Sequence, residues 1–396
     1  MTTDLRQREV PSAPPVESGW HRLRTAATGS NVRTAASLWL ASKVAIISLA
    51  WVASWIMRPT YRHPLPLGNL WQHWDATQFR IIAEYGYFGR FSLPVQGAFF
   101  PGYPILLRTV HLVIPQWTAA ELTIGTVASF FAILGLVRLA EDYQRGSGAW
   151  SGVVMLAAPS AVFLAVGYSE APFLAFALPA WLAARHGNWT KASLFAAAAC
   201  AIRVSGLFLI FGLMIMALQG RTAPDRPISR RLHAVAWLSL AILPLVDYVL
   251  YLRDRTGDWL AWLHAEEHGW QRRFGNPAAM YQKTWQIGFD HIAHTPWALI
   301  FQLEIAAVTI LVITTVALAW RRHWPEASYC ALTGAAMATG HLFVSVPRAL
   351  LLIFPLWCGL GRLAQRHRWI AGAWVAASVP LMFATTMLYF TGKWAG

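Results

Sequence analysis

The chain has 396 residues, of which 56% are hydrophobic and 13% are charged, and its formal net charge is +14. Soluble domains carry about 25% charged residues. With a mean hydropathy of +0.42, the composition therefore argues against a soluble protein and predicts a membrane protein. The positive charge fits Arg-rich loops that contact anionic lipid headgroups, and no basic soluble domain is evident that would bind nucleic acid.

Residues 1–34 are polar, and we expect them to form a cytosolic tail because no apolar core of a signal peptide is present. Residues 35–396 then form a single all-α polytopic membrane domain. A spanning helix needs about 20 mostly apolar residues, or fewer where neighbouring helices cover it. About eleven segments qualify, at 35–57, 117–140, 149–167, 171–184, 192–202, 205–218, 234–252, 297–320, 327–344, 349–361 and 369–390.

The two shortest segments, 192–202 and 205–218, form either one helix through Arg203 or a tight hairpin that turns at it. Cytoplasmic loops are enriched in Lys and Arg. With a cytoplasmic N-terminus and eleven spans, every short Arg-rich loop lies inside, whereas merging the two segments would put the loop at 220–233 outside. The charge pattern therefore favours the hairpin, with Arg203 at its outer turn.

Two longer segments, 58–116 and 253–296, then lie on the external side. Each is rich in Trp, Tyr, His and charged residues. We expect amphipathic helices in the membrane interface, because irregular backbone cannot be exposed to lipid. The second of these loops is a candidate for closing over a substrate.

The first external loop carries the sequence His73-Trp74-Asp75. A carboxylate at the membrane surface can take a proton from an acceptor hydroxyl as a general base. The alternative is that Asp75 caps a helix that starts at Ala76. Glu84, nine residues later, is expected on the same helix but on a different face.

Glu170, Arg203 and Arg348 are charged residues within apolar surroundings. Glu170 lies in an external turn, where it either faces a polar partner or sits at a helix end in water. Each Arg either binds phosphate through its fork of donors or extends to lipid headgroups. Together with Asp75 they come from four regions that all reach the outer surface, which is typical of a site where a lipid-linked phosphate leaves and a hydroxyl attacks.

Metal chemistry has little support in the sequence. His264 and His268 have i, i+4 spacing, but a solvated interfacial helix explains that spacing as well. There is no Asp-x-Asp sequence, Walker loop, Rossmann glycine pattern or Gly-x-Ser-x-Gly elbow. The three cysteines lie in apolar runs without paired spacing, which predicts neither a disulfide framework nor a zinc site.

These pieces resemble the PIG-V-like mannosyltransferases, of the GT-C class of polytopic membrane glycosyltransferases. The resemblance rests on motifs in the same order along most of the chain. They are His-Trp-Asp ending at Asp75, Ile-Ala-Glu-Tyr-Gly-Tyr ending at Tyr87, Phe-Phe-Pro-Gly-Tyr-Pro at 99–104, Tyr-Ser-Glu ending at Glu170, Arg-x-x-Gly starting at Arg203, and Pro-Arg ending at Arg348 with Phe-Pro-Leu after it.

The resemblance implies inverting transfer of a sugar, usually mannose, from a polyprenyl-phosphate donor on the outer face of the cell membrane, with Asp75 as the base. We expect Glu170 to be the second catalytic residue, which positions either the acceptor or a basic residue, and Arg203 and Arg348 to bind the donor phosphate. No tightly bound cofactor is expected, a divalent metal stays open, and the acceptor is a glycolipid, polysaccharide or protein. The expected substrate-binding residues are His73, Trp74, Glu84, Tyr87, Tyr103 and Tyr168.

One departure concerns the residue after Trp-Asp, which is commonly Gly in the family and is Ala76 here. The substrate pocket therefore differs, and a sugar is better supported than mannose in particular. Two alternatives stay open from the sequence: a lipid or glycolipid transporter, and a membrane scaffold without catalysis. A transporter predicts essential polar residues along a path through the membrane.

Overall fold

The computed structural model describes residues 19–57, 66–219, 228–273, 275–290 and 295–395, with the backbone alone for 19–28, 230, 295 and 296. All regular elements in these residues are helices. In chain order the α-helices are α1 (Gly19–Ile56), α2 (Asp75–Tyr85), α3 (Gly102–His111), α4 (Trp117–Tyr143), α5 (Gly148–Leu156), α6 (Glu170–Arg185), α7 (Trp189–Ile202), α8 (Ser205–Gln219), α9 (Ile228–Leu240), α10 (Leu243–Thr256), α11 (Ala261–Trp270), α12 (Pro277–Phe289), α13 (Thr295–Trp320), α14 (Trp324–Met337), α15 (Val346–Leu350), α16 (Phe354–Arg366) and α17 (Arg368–Phe390).

Five helical stretches in the described residues are long and apolar enough to cross a membrane. They are Gly29–Ile56, Trp117–Tyr143, Arg231–Thr256, Trp297–Trp320 and Arg368–Phe390. Two shorter apolar helices, α7 and α8, accompany them. The prediction of an all-α polytopic membrane protein is thus confirmed, whereas the count of eleven spans is not. Helix α1 begins at Gly19, within the segment predicted as a tail, and residues 1–18 lie outside the described residues.

Besides the two-residue break between α9 and α10 within 234–252, three predicted spans are interrupted in the structure. The segment 149–167 is not one helix, because α5 ends at Leu156, before Pro159, and a short 3-10 helix follows at Ala161–Leu164. The segment 327–344 is helical only to Met337. The segment 349–361 is divided between α15 and α16, which starts one residue before Pro355. Proline lacks an amide N–H and favours the first turn of a helix, which explains the breaks near Pro159 and Pro355.

Helices α4 and α6 pack together at the centre of the bundle through small residues. A Cβ placed on Gly135 of α4 would lie 2.8 Å from the Cβ of Leu178 on α6, so this contact requires a glycine. Close approach of backbones at small residues is the usual way in which helices associate in membranes. The contact fixes α6, whose first residue is Glu170, against α4.

Candidate active site

Asp75 is the first residue of α2, and its position depends on an unusual backbone conformation at Trp74. Trp74 has φ 54° and precedes the helix as its N-cap, without a side-chain capping bond. Such a conformation costs about 1–3 kcal/mol in a residue other than glycine and is concentrated at functional sites. Because α2 already includes Asp75 and has Trp74 as its N-cap, the alternative that Asp75 caps a helix starting at Ala76 is wrong. Its Oδ2 atom instead lies 2.5 Å from Nη1 of Arg348.

Glu170 is the first residue of α6 and is wholly buried. Its Oε1 atom accepts a hydrogen bond from Nη1 of Arg203 at 2.7 Å and another from Nε of Arg348. Ser169 adds a hydroxyl oxygen 2.6 Å from the same Nη1 atom. The alternative that Glu170 sits at a helix end in water is therefore wrong. The acid faces polar partners, the guanidinium groups of Arg203 and Arg348.

The hairpin predicted at Arg203 is present, because α7 ends at Ile202 and α8 starts at Ser205. Its tight turn depends on Gly206, where a Cβ would lie 2.3 Å from the Cα of Cys200. This contact gives the Arg-x-x-Gly sequence a physical reason. Its glycine lets α8 pack against α7 while the arginine side chain reaches Glu170.

Arg348 is carried by the short helix α15, which a buried carboxylate caps. Ser345, the residue before this helix, has φ 66°. The backbone N–H groups of Ser345 and Val346 donate to the two carboxylate oxygens of Glu304 at 2.8 and 2.9 Å. Glu304 lies on α13 and is wholly buried, so it satisfies donors that would otherwise be unpaired at the helix start.

The four charged residues predicted as the core of the site are thus joined in one cluster. Arg348 contacts both Asp75 and Glu170, and Glu170 also contacts Arg203. Two carboxylates and two guanidinium groups leave the cluster formally neutral. The rings of Tyr168 and Phe163 lie 4.5 and 5.4 Å from the guanidinium carbon of Arg348 and shield it further. Removing one member of such a buried pair leaves an uncompensated charge, which costs about 3–5 kcal/mol.

A cavity of about 180 Å³ opens beside this cluster. Its polar walls come from Asp75, Arg203 and Arg348 together with Ser169, Glu266 and Arg272. The remaining walls are largely aromatic and include Trp74, Phe99, Phe100, Tyr168, Trp262, Trp270 and Trp394. Apolar walls with a few convergent polar groups are typical of a small-molecule site.

Part of the second predicted external loop forms one wall of this cavity. Arg272, just beyond α11, has its Nε atom 3.4 Å from Oε2 of Glu266 on that helix. Burial raises the pKa of Glu266 above its usual range; Arg272 opposes this shift and the charge of Asp75 adds to it. Trp262 of the same helix donates to the carbonyl of Ala98 at 3.2 Å. The helix is therefore tied to the first loop.

The Phe-Phe-Pro-Gly-Tyr-Pro motif connects the first loop to its neighbours. The hydroxyls of Tyr87 and Tyr248 both donate to the carbonyl of Phe99, at 2.7 and 2.9 Å. A Cβ on Gly102 would lie 2.6 Å from the carbonyl oxygen of Ala201, so only glycine fits where α3 meets the end of α7. The motif thereby holds the aromatic wall close to Arg203.

Of the six predicted substrate-binding residues, only Trp74 and Tyr168 line the cavity. The ring of His73 packs edge-on against Tyr389, and burial lowers its pKa. Tyr103 is wholly buried against Phe79. Glu84 lies 3.6 Å from Arg80, one turn earlier on α2, and Tyr87 bonds the backbone. These four residues build the loop and do not line the cavity.

Sequence reasoning did not single out Glu304, Ser169 or Glu121, although each contacts the segments of the site. Glu121 and Glu304 are isolated acids within long apolar helices, which is itself a signal of a polar partner inside a membrane protein. The partners are distant in sequence, so the signal does not name them. Arg272 and Glu266 were recognised only as part of a loop.

No group of three His, Cys, Asp or Glu residues is placed to hold a metal ion in the part of the chain that the structure describes. His264 instead contacts Asp258 at 2.6 Å, and Nδ1 of His268 contacts the carbonyl oxygen of His264. Both histidines at i, i+4 spacing thus contact other groups of the chain. The need for a metal stays a matter for experiment.

The chain is similar to GPI alpha-1,6-mannosyltransferase 2 of Homo sapiens, with 31% identity over 167 residues, and to that of Rattus norvegicus, with 32% identity over 155 residues. The human match covers 39% of this chain and 33% of the human protein, so the match spans about a third of that relative. The rat match covers 36% and 30%. These matches confirm the resemblance to PIG-V-like proteins.

No family model matches the chain. Among solved structures it is similar to ArnT from Cupriavidus metallidurans bound to undecaprenyl phosphate, with TM-score 0.47 and 16% identity over 88% of this chain and 75% of ArnT. It is also similar to the apo oligosaccharyltransferase of Archaeoglobus fulgidus, with TM-score 0.45 and 11% identity over 91% of this chain and 56% of that protein.

Proposed function

We propose that this protein is a membrane glycosyltransferase of the GT-C class that moves a sugar, mannose in the first instance, from a polyprenyl-phosphate donor to a hydroxyl of a lipid-linked or cell-envelope acceptor. The observation that carries the proposal is the contact of Arg348 with both Asp75 and Glu170 at the wall of one cavity. Similarity to curated mannosyltransferases supports the reaction class. The proposed orientation has a cytoplasmic N-terminus and an external cavity at the cell membrane.

The proposed reaction is a single displacement with inversion. Asp75 takes the proton of the acceptor hydroxyl while its oxygen attacks the anomeric carbon of the sugar. The bond from that carbon to the phosphate oxygen breaks, and the polyprenyl phosphate leaves with the electron pair. General-base assistance of this kind typically contributes ~10²–10⁴ in rate. Asp75 suits the role because its carboxylate reaches the cavity and is held in place by Arg348.

The negative charge on the leaving phosphate grows as the bond breaks, so cationic groups are needed to stabilise it. Arg203 and Arg348 face the cavity, and a guanidinium has five N–H groups, so their contacts with Glu170 leave donors for a phosphate. Because Asp75 and Glu170 offset their charge, we assign Arg272 as a third cation. The distance from Arg272 to Glu266 is 3.4 Å, whereas that from Arg203 to Glu170 is 2.7 Å. Arg272 is therefore paired less closely with its acid.

The aromatic walls favour a sugar and its lipid-linked carrier. Trp74, Trp262 and Trp270 offer flat apolar surfaces with a polar N–H, which matches the alternating apolar and hydroxyl faces of a sugar ring. Glu170 organises the two arginines and does not need to touch the substrate. A lipid transporter predicts polar groups along a path, whereas these residues converge on one cavity.

The proposal is tested with purified protein in lipid, radiolabelled polyprenyl-phosphate mannose and a membrane lipid extract as the source of acceptor. We expect label to move from the donor to a new product. If mannose fails, other sugars on the same carrier are tried, and transfer of one of them would correct only the sugar. Lack of transfer from all such donors by folded protein would reject the glycosyltransferase and leave the transporter and scaffold alternatives.

A further inference from the structure

A buried carboxylate outside the cavity contacts both chain segments that deliver the acids of the site. Glu121 lies on α4, in its second turn, and only 1% of its surface is exposed. It is not among the residues that line the cavity. A carboxylate buried in an apolar helix is costly unless its contacts compensate for it, so those contacts indicate its role.

The first contact of Glu121 is with the segment that precedes Asp75. Its Oε2 atom accepts a hydrogen bond of 2.5 Å from Nε2 of Gln72, three residues before Asp75. The Oε1 atom of Gln72 accepts a hydrogen bond of 3.2 Å from Nη1 of Arg80 on α2. Gln72 therefore joins Glu121 to the strained turn at Trp74 and to the helix that follows it.

The second contact leads to Glu170. Gly167, three residues before Glu170, packs directly against Glu121, and a Cβ on Gly167 would lie 3.0 Å from Cβ, Cδ and Oε2 of Glu121. The following residue, Tyr168, donates from its hydroxyl to the carbonyl of His73 at 3.3 Å. The segments that carry Asp75 and Glu170 thus contact each other, and both also contact Glu121.

We propose that Glu121 is a positioning residue that sets the separation of Asp75 and Glu170, so that one guanidinium, that of Arg348, reaches both. This inference rests on the proposed function for its catalytic consequence, but not for the geometry itself. The hydrogen bond from Gln72 holds the segment before Asp75 against Glu121. Its loss releases the turn at Trp74, and a misplacement of about 1 Å at a catalytic group costs ~10²-fold in rate.

The variants Glu121→Ala and Glu121→Gln separate this role from a simple packing role. Alanine removes both contacts. Glutamine keeps the shape of the Glu121 side chain and an oxygen that accepts from Gln72. Its amide nitrogen takes the place of Oε1 of Glu121, which has no hydrogen-bond partner among the described residues. Gln72→Ala removes the same hydrogen bond without opening a cavity at α4, so it serves if Glu121→Ala does not fold.

Glu326 offers a matched control. It is also a buried acid in a helix, with one oxygen that accepts from the hydroxyl of Tyr143 at 2.7 Å and another without a hydrogen-bond partner in the described chain. Tyr143 is the last residue of α4, and a rise of 1.5 Å per residue puts it about 33 Å from Glu121 along that helix. Glu326→Ala therefore tests loss of a buried acid at the far end.

Hydrogen exchange followed by mass spectrometry measures how firmly the two segments are held, and transfer kinetics measure the effect on catalysis. In Glu121→Ala we expect faster exchange in residues 71–77 and 166–173, a fall in kcat of ~10-fold or more, and a KM for the donor that changes less than kcat. Glu121→Gln should stay near wild type in both measurements. Glu326→Ala should lower the Tm without faster exchange in these two segments.

Unchanged exchange in both segments of folded Glu121→Ala, or of Gln72→Ala in residues 71–77, would overturn the proposal whatever the activity. Faster exchange in the segments with an unchanged kcat would overturn the catalytic consequence. If wild-type protein transfers no sugar while Glu121→Ala still shows faster exchange, the positioning role stands and the proposed function fails.

Discussion

The Nη1 atom of Arg348 lies 2.5 Å from the Oδ2 atom of Asp75, although the two residues come from opposite ends of the chain. Arg348 uses its Nε atom to hold Glu170, so a single guanidinium joins two carboxylates. Asp75 directly follows a residue with positive φ, and Arg348 lies in the first turn of a helix that begins after another such residue, Ser345.

Replacement of Arg348 by Lys is expected to lower the free energy of unfolding by about 1–3 kcal/mol, the cost of a buried polar group that loses its hydrogen-bond partner, and to abolish measurable transfer. An ammonium group cannot reproduce the two directed contacts of a guanidinium. Thermal unfolding in detergent measures the change in stability, and the transfer assay measures the loss of activity. Arg362→Lys, a change outside the cavity, is the control. Wild-type stability of Arg348→Lys would contradict the structural role of the cluster.

Replacement of Glu304 by Gln tests the cap of α15. The amide has one oxygen, so one of the two N–H groups of Ser345 and Val346 loses its acceptor and meets an NH₂ group. An unsatisfied buried donor costs about 1–3 kcal/mol, and we expect a fall in stability of that size with a reduced kcat, since α15 carries Arg348. Thermal unfolding and initial rates measure these effects. An unchanged Tm would show that the cap is dispensable.

Replacement of Gly102 by Ala tests the close approach of α3 to α7. The new Cβ would lie 2.6 Å from the carbonyl oxygen of Ala201, and we expect destabilisation of about 1–3 kcal/mol, as for overpacked sites. Gly372→Ala on α17 is the matched control, because no atom lies within 4 Å of its Cβ position. Since alanine is the better helix former, the control should be neutral or stabilising. Equal Tm values for the two variants would contradict the packing.

The stability of the protein should depend on pH through Glu266. Burial raises the pKa of this carboxyl in the folded state. The folded state therefore holds the proton more tightly than the unfolded chain, and stability falls as pH rises from the unfolded pKa, about 4.3, through the raised folded value. Glu266→Gln stays neutral, so its Tm advantage over wild type should appear as pH increases. A Tm difference that is constant with pH would contradict this assignment.

Replacement of Arg272 by Gln tests the assignment of a third cation for the donor phosphate. We expect a KM for the donor raised by ~10-fold or more with a smaller change in kcat, because Arg272 contacts neither Asp75 nor Glu170 among the ion pairs of the described chain. Arg273→Gln is the matched control, since Arg273 is the neighbouring residue, is largely exposed and does not line the cavity. An unchanged KM for the donor would remove Arg272 from the proposed site.

The sequence was sufficient to predict the hairpin at Arg203, since the Arg-rich loop at 220–233 required an even number of crossings. It also predicted that Asp75, Glu170, Arg203 and Arg348 share one site, because all four come from regions predicted to reach the outer surface. The breaks near Pro159 and Pro355 were missed, since hydropathy averages over residues that do not continue a helix. The roles of Glu121 and Glu304 depend on partners that only the packed helices bring together.

The most direct test of the account compares wild type with Asp75→Asn in the transfer assay, with hydrogen exchange to establish that both proteins are folded. Asparagine keeps the size of the side chain but cannot accept the proton of the acceptor hydroxyl. The account predicts labelled product with wild type and a fall of ~10²-fold or more with Asp75→Asn. Transfer at the wild-type rate by folded Asp75→Asn would contradict the assignment of the base.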